Sequence, residues 1–510
     1  MLGNLHHCAD RAMGMTAAEL VQTPAAGGFA DRVRSAVVWR WGSQVLAQII
    51  TWAATILVVR LLDPSDYGHY AMAQAVLAAF TFLNGYSFAT SLIQAQEVDQ
   101  RRIGQVFGML IVANVALATL QFLAAPLAAD YYQQPLVAQM LRIQALIFLT
   151  TPFIALPSAL LSRTLNFRNQ AVVNLACAVA GGGTALALAE TGHGVWALVW
   201  APVVLFATRA AGLTIAVGGL VRPIFDFRGC RDIITFGGAL TLSQLFWVVQ
   251  SQSDIFIAGR SFDAHELGLY SEALFVALIF SGRFVPPLND VAFPAFAELV
   301  KQGKPIGAAF LSGVQTVMLI ALPAYIGLSL TAEPLVATVF GPKWTAMAPI
   351  LAGLALAMPA MVLQIICSPS TNALGRPGVY LFTNIAGAVI MPACFLVGVE
   401  YGPQGLVASW QVAAPLLLAL TLVATLPKID VRLAELGTAL LPSLVGSAAM
   451  ALAVTVLKAR IEFLPLPAQL PLLAVCGAAV YAVTLAVLWP KLVRRVWAMV
   501  VRRRPEPAAV

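Results

Sequence analysis

Long apolar runs recur along almost the whole chain, and short polar stretches separate them. Of the 510 residues, 60% are hydrophobic and only 10% are charged, and the mean hydropathy is +0.84. A soluble domain carries about 25% charged residues, so this composition excludes a soluble globular protein. The runs are ~20 residues or longer, the length of a membrane-spanning helix and about twice that of a barrel strand. The sequence therefore predicts an all-α polytopic membrane protein.

Counting the apolar runs predicts about fourteen transmembrane helices. The predicted spans are 36–60, 67–93, 104–128, 136–161, 169–190, 194–220, 233–259, 267–293, 306–332, 345–368, 378–399, 403–426, 434–457 and 468–489. The stretch TAEPLVATVFGPKW, between the ninth and tenth spans, is partly apolar and could be a small re-entrant segment.

Positive charge is spread unevenly over the loops between these spans. Most of the 30 lysines and arginines fall in one alternate set of loops and in the two tails, including the C-terminal KLVRRVWAMVVRRR. The other set of loops holds only Arg60, Arg260, Lys343, Lys458 and Arg460. Because Lys and Arg are enriched in cytoplasmic loops, both termini are predicted to be cytoplasmic. The net charge of +7 then reflects topology, and no nucleic-acid partner is expected.

A short acidic turn occurs twice, 200 residues apart, as LLDPSDYGHY at 61–70 and SFDAHELGLY at 261–270. Between 43–80 and 243–280, nine residues of the first copy meet the identical residue in the second: Ser43, Gln44, Arg60, Asp63, Gly68, Tyr70, Ala73, Val76 and Phe80. A looser match pairs GVWALV at 194–199 with GPQGLV at 402–407. The repeat predicts two parallel six-helix lobes, related by an axis along the membrane normal, with a solute path between them. The turn itself is interpreted as a helix start, with Asp63 and Asp263 as N-caps.

The repeat and the loop charges together divide the chain. The predicted segments are a disordered cytoplasmic tail at 1–35, an N-lobe of six helices at 36–222, a C-lobe of six helices at 233–426, two appended helices at 434–489 and a basic cytoplasmic tail at 490–510.

Polar residues follow one face of several predicted spans. In the eighth span Glu272, Arg283 and Asp290 are 11 and 7 residues apart, which returns each to within about 20° of the last, although Pro286-Pro287 is expected to distort that helix. Candidates for binding a solute are Arg40, Gln44, Gln48, Gln74, Gln244, Gln250, Arg283 and Arg209. Candidates for binding a coupling ion are Asp254, Glu272 and Asp290. The alternatives are interhelical hydrogen bonding for the glutamines and an ion pair inside the lobe for Arg209.

Two stretches carry a family resemblance: VVRLLDPSDYGHYAMA after the polar-faced first helix, and SQSDIFIAGRSFDAHELGLYSEA in the second lobe. With the six-plus-six-plus-two layout, the chain over roughly 35–430 resembles the polysaccharide transporter family. This family includes the exopolysaccharide and O-antigen flippases of the multidrug/oligosaccharidyl-lipid/polysaccharide exporter superfamily. The resemblance implies alternating access that moves a polyprenyl-diphosphate-linked oligosaccharide across the bacterial cytoplasmic (inner) membrane.

The expected partners are therefore a lipid-linked oligosaccharide and membrane lipids, with polysaccharide polymerase and export machinery as further candidates. In this hypothesis Arg40 and Arg283 hold the diphosphate and the glutamines bind sugar hydroxyls. No His, Cys and carboxylate cluster has metal-ligand spacing, so neither a metal nor another cofactor is expected.

Two other function classes agree less well with the sequence. A multidrug or cation antiporter of the same superfamily is disfavoured because the first six spans show no clear mid-membrane acid. A membrane glycosyltransferase or polysaccharide polymerase is disfavoured because the outer loops are short and offer no catalytic pair. The chain is therefore expected not to be an enzyme.

Overall fold

The computed structural model describes residues 29–81, 83–84, 99–163, 167–219, 221–228 and 231–494, and side chains at 29–41, 163–168 and 231–245 lie outside this description. Within those ranges the chain is helical and contains no strand. Eleven stretches of the described chain are long and apolar enough to cross a membrane. The prediction of an all-α multi-pass membrane protein is confirmed. The count of fourteen crossings, the two parallel lobes and the cytoplasmic termini remain predictions.

The described part of the chain forms seventeen α-helices. In chain order they are α1 (Phe29–Leu61), α2 (Pro64–Thr81), α3 (Gln100–Tyr132), α4 (Pro135–Gln144), α5 (Leu146–Thr150), α6 (Pro152–Arg163), α7 (Phe167–Glu190), α8 (Trp196–Ala216), α9 (Arg231–Ser261), α10 (Ala264–Lys301), α11 (Gly307–Leu330), α12 (Ala332–Val339), α13 (Met347–Ala373), α14 (Pro377–Gly398), α15 (Gly402–Thr425), α16 (Leu433–Arg460) and α17 (Leu466–Leu488). Three 3₁₀ turns lie at Pro342–Trp344, Val399–Tyr401 and Leu426–Lys428.

The predicted span at 136–161 is present as one apolar stretch, Pro135–Ser162, but it is not a single continuous helix. Turns at Ala145 and Thr151 divide it into α4, α5 and α6. Pro152 begins α6 and has no N–H to donate backwards. The Thr151 hydroxyl donates to the carbonyl of Ile147 at 3.2 Å, which competes with the regular helical pattern. These local effects do not appear in the apolar periodicity that predicted the span.

The span at 267–293 shows the opposite result. Its helix, α10, continues through Pro286 and Pro287 and extends to Lys301, so the expected distortion does not interrupt it. Gly282 stands four residues before Pro286, where a proline ring meets a carbonyl, and glycine gives the backbone freedom to adjust. The helical spacing of the residues on either side is therefore kept.

Both acidic turns begin a helix, which confirms their interpretation. Asp263 is the N-cap of α10, and its Oδ1 accepts a hydrogen bond from the Glu266 backbone N–H at 2.8 Å. At the start of α2 the Asp66 carboxylate accepts a hydrogen bond from the Asp63 backbone N–H at 3.2 Å. Each turn thus uses an acid to satisfy a donor at a helix terminus.

The stretch TAEPLVATVFGPKW, which could have been re-entrant, folds as α12 followed by a 3₁₀ turn. Trp344 at its end is fully buried. Helix α12 packs against α13 and α17, and Glu333 forms an ion pair with Lys458 at 3.0 Å.

The chain forms two compact units, Met1–Val248 and Val249–Val510. In the first unit, α7 packs against both α1 and α8. In the second unit, α13 packs against α10, α11 and α15, and the C-terminal pair α16 and α17 joins the unit through α11. The Tyr481 hydroxyl of α17 donates to the carbonyl of Leu319 in α11 at 2.7 Å.

A segment that follows α8, residues 221–228, returns to the start of α3, and we call it the α3 clasp. The Ile224 backbone N–H donates to the Gly104 carbonyl at 2.9 Å. The Gln105 side chain donates to the Asp226 carbonyl at 2.8 Å, and Arg101 pairs with the Asp226 carboxylate at 3.0 Å. The end of the sixth predicted span is thereby fixed to the third.

A related contact occurs in the second unit. A Cβ on Gly307, at the start of α11, would lie 2.8 Å from the carbonyl oxygen of Ile429. The sequence carries both partners twice, as IGQVF at 103–107 with PIFDFR at 223–228, and IGAAF at 306–310 with PKIDVR at 427–432. The internal repeat therefore extends beyond the two acidic turns.

Gly108→Ala is expected to destabilise the protein. A Cβ at this position would overlap the carbonyl of Ile224 in the clasp. Alanine ordinarily favours a helix, but forced overpacking costs about 1–3 kcal/mol and exceeds that gain. Thermal unfolding of the purified protein in detergent measures the loss. Gly313→Ala in α11 is the control, because a Cβ there meets no atom within 4 Å. Equal unfolding temperatures for the two variants would contradict the steric role of Gly108.

Candidate functional site

Three charged residues lie on one face of α10, and at Arg283 and Asp290 this face is directed away from the side that packs into the second unit. At 100° per residue, Glu272, Arg283 and Asp290 fall within about 20° of a common direction. Buried residues of the same helix, such as Ser281 and Val285, lie about 160° to 200° around the axis from Arg283. Arg283 and Asp290 are exposed, and Glu272 is half-buried. We call this the charged face of α10.

The charged face is too long for all of its side chains to reach water beyond the two ends of a membrane span. It covers ~27 Å from Glu272 to Asp290 at 1.5 Å per residue, against a hydrocarbon thickness of ~30 Å. A charged side chain near the bilayer centre costs ~2.5–3.5 kcal/mol on insertion scales, and snorkelling relieves only residues near the helix ends. Among the described residues, no ion pair or hydrogen bond engages Arg283. This face therefore requires water or a polar ligand.

The predicted stripe of the first span lies on α1. Arg40 belongs to this helix, but its side chain is outside the described part of the structure. Gln44 is exposed and Gln48 is half-buried. The hydroxyls of Thr51 and Thr55 donate to carbonyls one turn earlier at 2.8 and 2.9 Å, so the helix itself satisfies them. The two glutamines are left as the groups of this stripe that can hydrogen-bond a ligand.

The other predicted glutamines differ in their surroundings. Gln74 of α2 is half-buried, and Gln244 of α9 has a side chain outside the described part. The Gln250 amide packs against Gly387 of α14, where any Cβ would overlap its Oε1 atom. That oxygen is buried and accepts no hydrogen bond. Gln250 thus packs between two helices of the second unit without a hydrogen bond at its Oε1 atom, and both interpretations of this residue remain predictions.

Arg209 lies half-buried in α8 of the first unit. Its Nε atom is buried and donates no hydrogen bond. The neighbouring Cys177 of α7 is close enough to interact electrostatically with the guanidinium group. Within the described ranges no carboxylate pairs with Arg209, so the ion-pair alternative gains no support there. Solute contact at Arg209 remains a prediction.

Asp254 lies inside the second unit and is only 1% exposed. Its Oδ2 accepts a hydrogen bond from the Tyr270 hydroxyl at 2.9 Å, and its Oδ1 accepts one from the Ile255 N–H at 2.8 Å. The Tyr270 oxygen in turn accepts one from Trp410 Nε1 at 2.9 Å. We call Asp254, Tyr270 and Trp410 the buried triad, and it joins α9, α10 and α15. Ion coupling at Asp254 remains a prediction.

The sequence did not identify Tyr270 or Trp410 as functional. One feature of the sequence could have indicated that Tyr270 is important: it is identical to Tyr70 in the repeat. Position 54, which aligns with Asp254, is alanine, so the triad has no counterpart in the first copy.

A small cleft of about 10 Å³, roughly the space for one water molecule, opens in the first unit beside the α3 clasp. Its lining is apolar except for Thr214 and includes Phe107, Phe153 and Leu160. None of the predicted binding residues lines it. It is therefore not the site that the polar faces indicate.

In a comparison with known protein families, residues 57–349 match the family described as polysaccharide biosynthesis protein. Teichuronic acid biosynthesis protein TuaB of Bacillus subtilis (strain 168) is 26% identical over 293 residues, 57% of this chain and 60% of the relative. Succinoglycan biosynthesis transport protein ExoT of Rhizobium meliloti (strain 1021) is 25% identical over 300 residues, 59% of this chain and 61% of the relative. The matched stretch thus spans about three fifths of each relative's length.

Solved structures show the same fold. The lipid II flippase MurJ in an inward closed conformation gives a TM-score of 0.73 at 11% identity, covering 90% of this chain and all of the other. An inward-facing multidrug resistance MATE family transporter of the MOP superfamily gives a TM-score of 0.61 at 14% identity, covering 75% of this chain and 94% of the other. At these identities the likeness establishes the fold alone, and it agrees with the superfamily that the two sequence stretches indicate.

Proposed function

Because the chain belongs to the polysaccharide biosynthesis protein family, whose pattern it matches over more than half its length, we propose that it is a flippase for polyprenyl-diphosphate-linked oligosaccharides. It moves repeat units for exopolysaccharide or O-antigen synthesis to the outer leaflet of the bacterial inner membrane by alternating access. The observation that carries this proposal is the charged face of α10, which places an exposed arginine within a predicted membrane span.

The chemistry of such a substrate suits these residues. A diphosphate is anionic and strongly hydrated, and a guanidinium group binds phosphate oxygens through a planar fork of donors. Arg283 supplies this group in the second unit, and Arg40 and Arg209 are further candidates. Gln44, Gln48 and Gln74 offer both donors and acceptors to sugar hydroxyls. Outward movement of negative charge is also favoured by an inside-negative potential, by ~2.3 kcal/mol per charge per 100 mV.

The ion-coupling candidates separate into two kinds. Glu272 and Asp290 share the face of Arg283, whereas Asp254 already accepts two hydrogen bonds inside the second unit. Glu272 and Asp290 are therefore better candidates than Asp254 for binding a proton or sodium ion that exchanges with water. Either carboxylate can pass a positive charge inward as the anionic substrate leaves.

An antiporter of organic cations is the second candidate, because the MATE transporter shares the fold. The acids of the charged face would attract such a solute. Arg283 stands between them on the same face and repels it, which favours an anionic substrate.

Deleting the protein is expected to leave one lipid-linked glycan accumulated on the cytoplasmic leaflet. Sealed inverted and right-side-out vesicles, treated with a membrane-impermeant glycosidase, measure on which side the glycan lies. A plasmid-borne wild-type copy is the control and restores the normal distribution. Accumulation on the outer leaflet would contradict the proposal and indicate a role with the polymerase and export machinery instead.

A further inference from the structure

An exposed aromatic ring stands directly beside Arg283 and is supported from behind by two other rings. Phe284 is 55% exposed. Its ring stacks on Phe280, with centroids 5.1 Å apart and planes at 28°. Phe280 meets the edge of Tyr325 at 5.6 Å and 72°, and Tyr325 of α11 is 1% exposed. The three rings form a series from the core of the second unit to its surface.

This series ends at the border of the charged face. Phe280 and Phe284 lie about 60° and 100° around α10 from Arg283, between the charged face and the buried side. Two other exposed phenylalanines of the helix, Phe275 and Phe293, lie about 80° from Arg283 in the opposite sense. In the described part of the chain neither of them contacts another aromatic ring.

Neither helix stability nor contact with lipid fully explains why Phe284, Phe280 and Tyr325 form a series of packed rings. An i, i+4 aromatic pair stabilises a helix by only about 0.2–0.5 kcal/mol. Contact with acyl chains accounts for any exposed phenylalanine, including Phe275, and requires no stacked neighbour. What needs explanation is an exposed ring that packs in series with two others at the border of the charged face, one residue after its cation.

We propose that Phe284 is a sugar-binding subsite, on which the pyranose ring next to the diphosphate stacks while Arg283 holds the diphosphate. The inference rests on the proposed function. An aromatic face is electron-rich and attracts the electropositive C–H groups of a pyranose face. The two side chains start from Cα atoms ~3.8 Å apart and diverge by about 100° around α10, so a ligand that contacts both must be as large as a diphosphate joined to a sugar. Stacking recognises the apolar face of the sugar ring and does not depend on a particular pattern of hydroxyl groups. This subsite therefore accepts many pyranoses.

Two soluble probes separate the sugar contact from the diphosphate contact. The first is geranyl diphosphate, and the second is the same compound carrying glucose on its terminal phosphate. Titration calorimetry on the purified full chain measures their dissociation constants. The wild type is expected to bind the glucosyl probe about threefold to tenfold more tightly, the range that one aromatic contact provides.

Phe284→Ala is expected to abolish this preference for the glucosyl probe, and Phe284→Trp to retain it. Phe275→Ala is the matched control, being an equally exposed phenylalanine of the same helix, and it keeps the preference. Arg283→Gln weakens binding of both probes. Thermal unfolding of each variant verifies that it is folded.

The outcomes distinguish the two proposals. Binding of neither probe by the wild type would overturn both the diphosphate-linked substrate and the subsite. Equal binding of the two probes by the wild type would overturn the subsite alone. A preference that survives in Phe284→Ala, or disappears equally in Phe275→Ala, would also overturn the subsite.

Discussion

Arg283→Gln is expected to abolish polymer export while the protein remains in the membrane at wild-type amounts. The change removes the exposed cation of the charged face and leaves a shorter, neutral polar side chain. Arg283→Lys keeps the charge but loses the planar fork, so it retains more export than the glutamine variant. Complementation of a deletion strain, with surface polymer and membrane-bound protein both quantified, measures the effect. We expect at least a tenfold loss for the glutamine variant, equivalent to ~1.4 kcal/mol.

Arg142 provides a matched control for this experiment. It is also an arginine within a predicted span, but its guanidinium carbon lies 5.4 Å from the centre of the Phe122 ring. This cation–π contact gives the charge a partner inside the first unit. Arg142→Gln is therefore expected to keep export. Wild-type export from Arg283→Gln would remove Arg283 from the mechanism, and equal loss in both variants would show that any embedded arginine is needed.

Tyr270→Phe is expected to cause the largest loss of stability among single-atom changes in the second unit. The hydroxyl of Tyr270 connects Asp254 with Trp410 in the buried triad. Its removal takes one hydrogen bond from the Asp254 carboxylate and leaves the indole N–H of Trp410 only its weaker contact with that carboxylate. A buried polar group that loses a partner costs about 1–3 kcal/mol, and a charged one lies at the upper end. Thermal unfolding in detergent measures the difference from the wild type.

Tyr325→Phe is the control for this variant. Tyr325 is nearly as deeply buried as Tyr270, but its hydroxyl approaches only Ser281 and makes no hydrogen bond of regular geometry. Removing that oxygen is expected to leave the unfolding temperature unchanged or slightly raised. A similar drop for both tyrosines would mean that lost packing, and not the triad, sets the stability.

Features that depend on local spacing were accessible from the sequence. The positions of most helices follow from apolar runs of membrane length. The charged face of α10 follows from intervals of 11 and 7 residues, and it is present because α10 stays helical through Pro286. The helix starts at Asp63 and Asp263 follow from known capping chemistry.

Features that depend on distant contacts were not accessible in this way. Trp410 lies 140 residues beyond Tyr270 and is separated from it by several helices, and no pattern near either residue indicates the bond. The breaks at Ala145 and Thr151 arise from competition between side chains and backbone in one turn. Position Gly108 is fixed by a carbonyl of a segment that follows five helices later. The α3 clasp is visible in the sequence as a pair of repeated motifs, because IG and PxxDxR occur in both halves of the chain.

The absence of the buried triad from the first half has a consequence for the two halves of the molecule. At the equivalent position Ala54 packs tightly against α7, where a Cβ on Gly182 would lie 3.0 Å from its own Cβ. The same position of the repeat is thus a close helix contact in one copy and an internal acid in the other. The two halves are therefore not interchangeable here, and a substitution at Asp254 alters one half of the molecule alone.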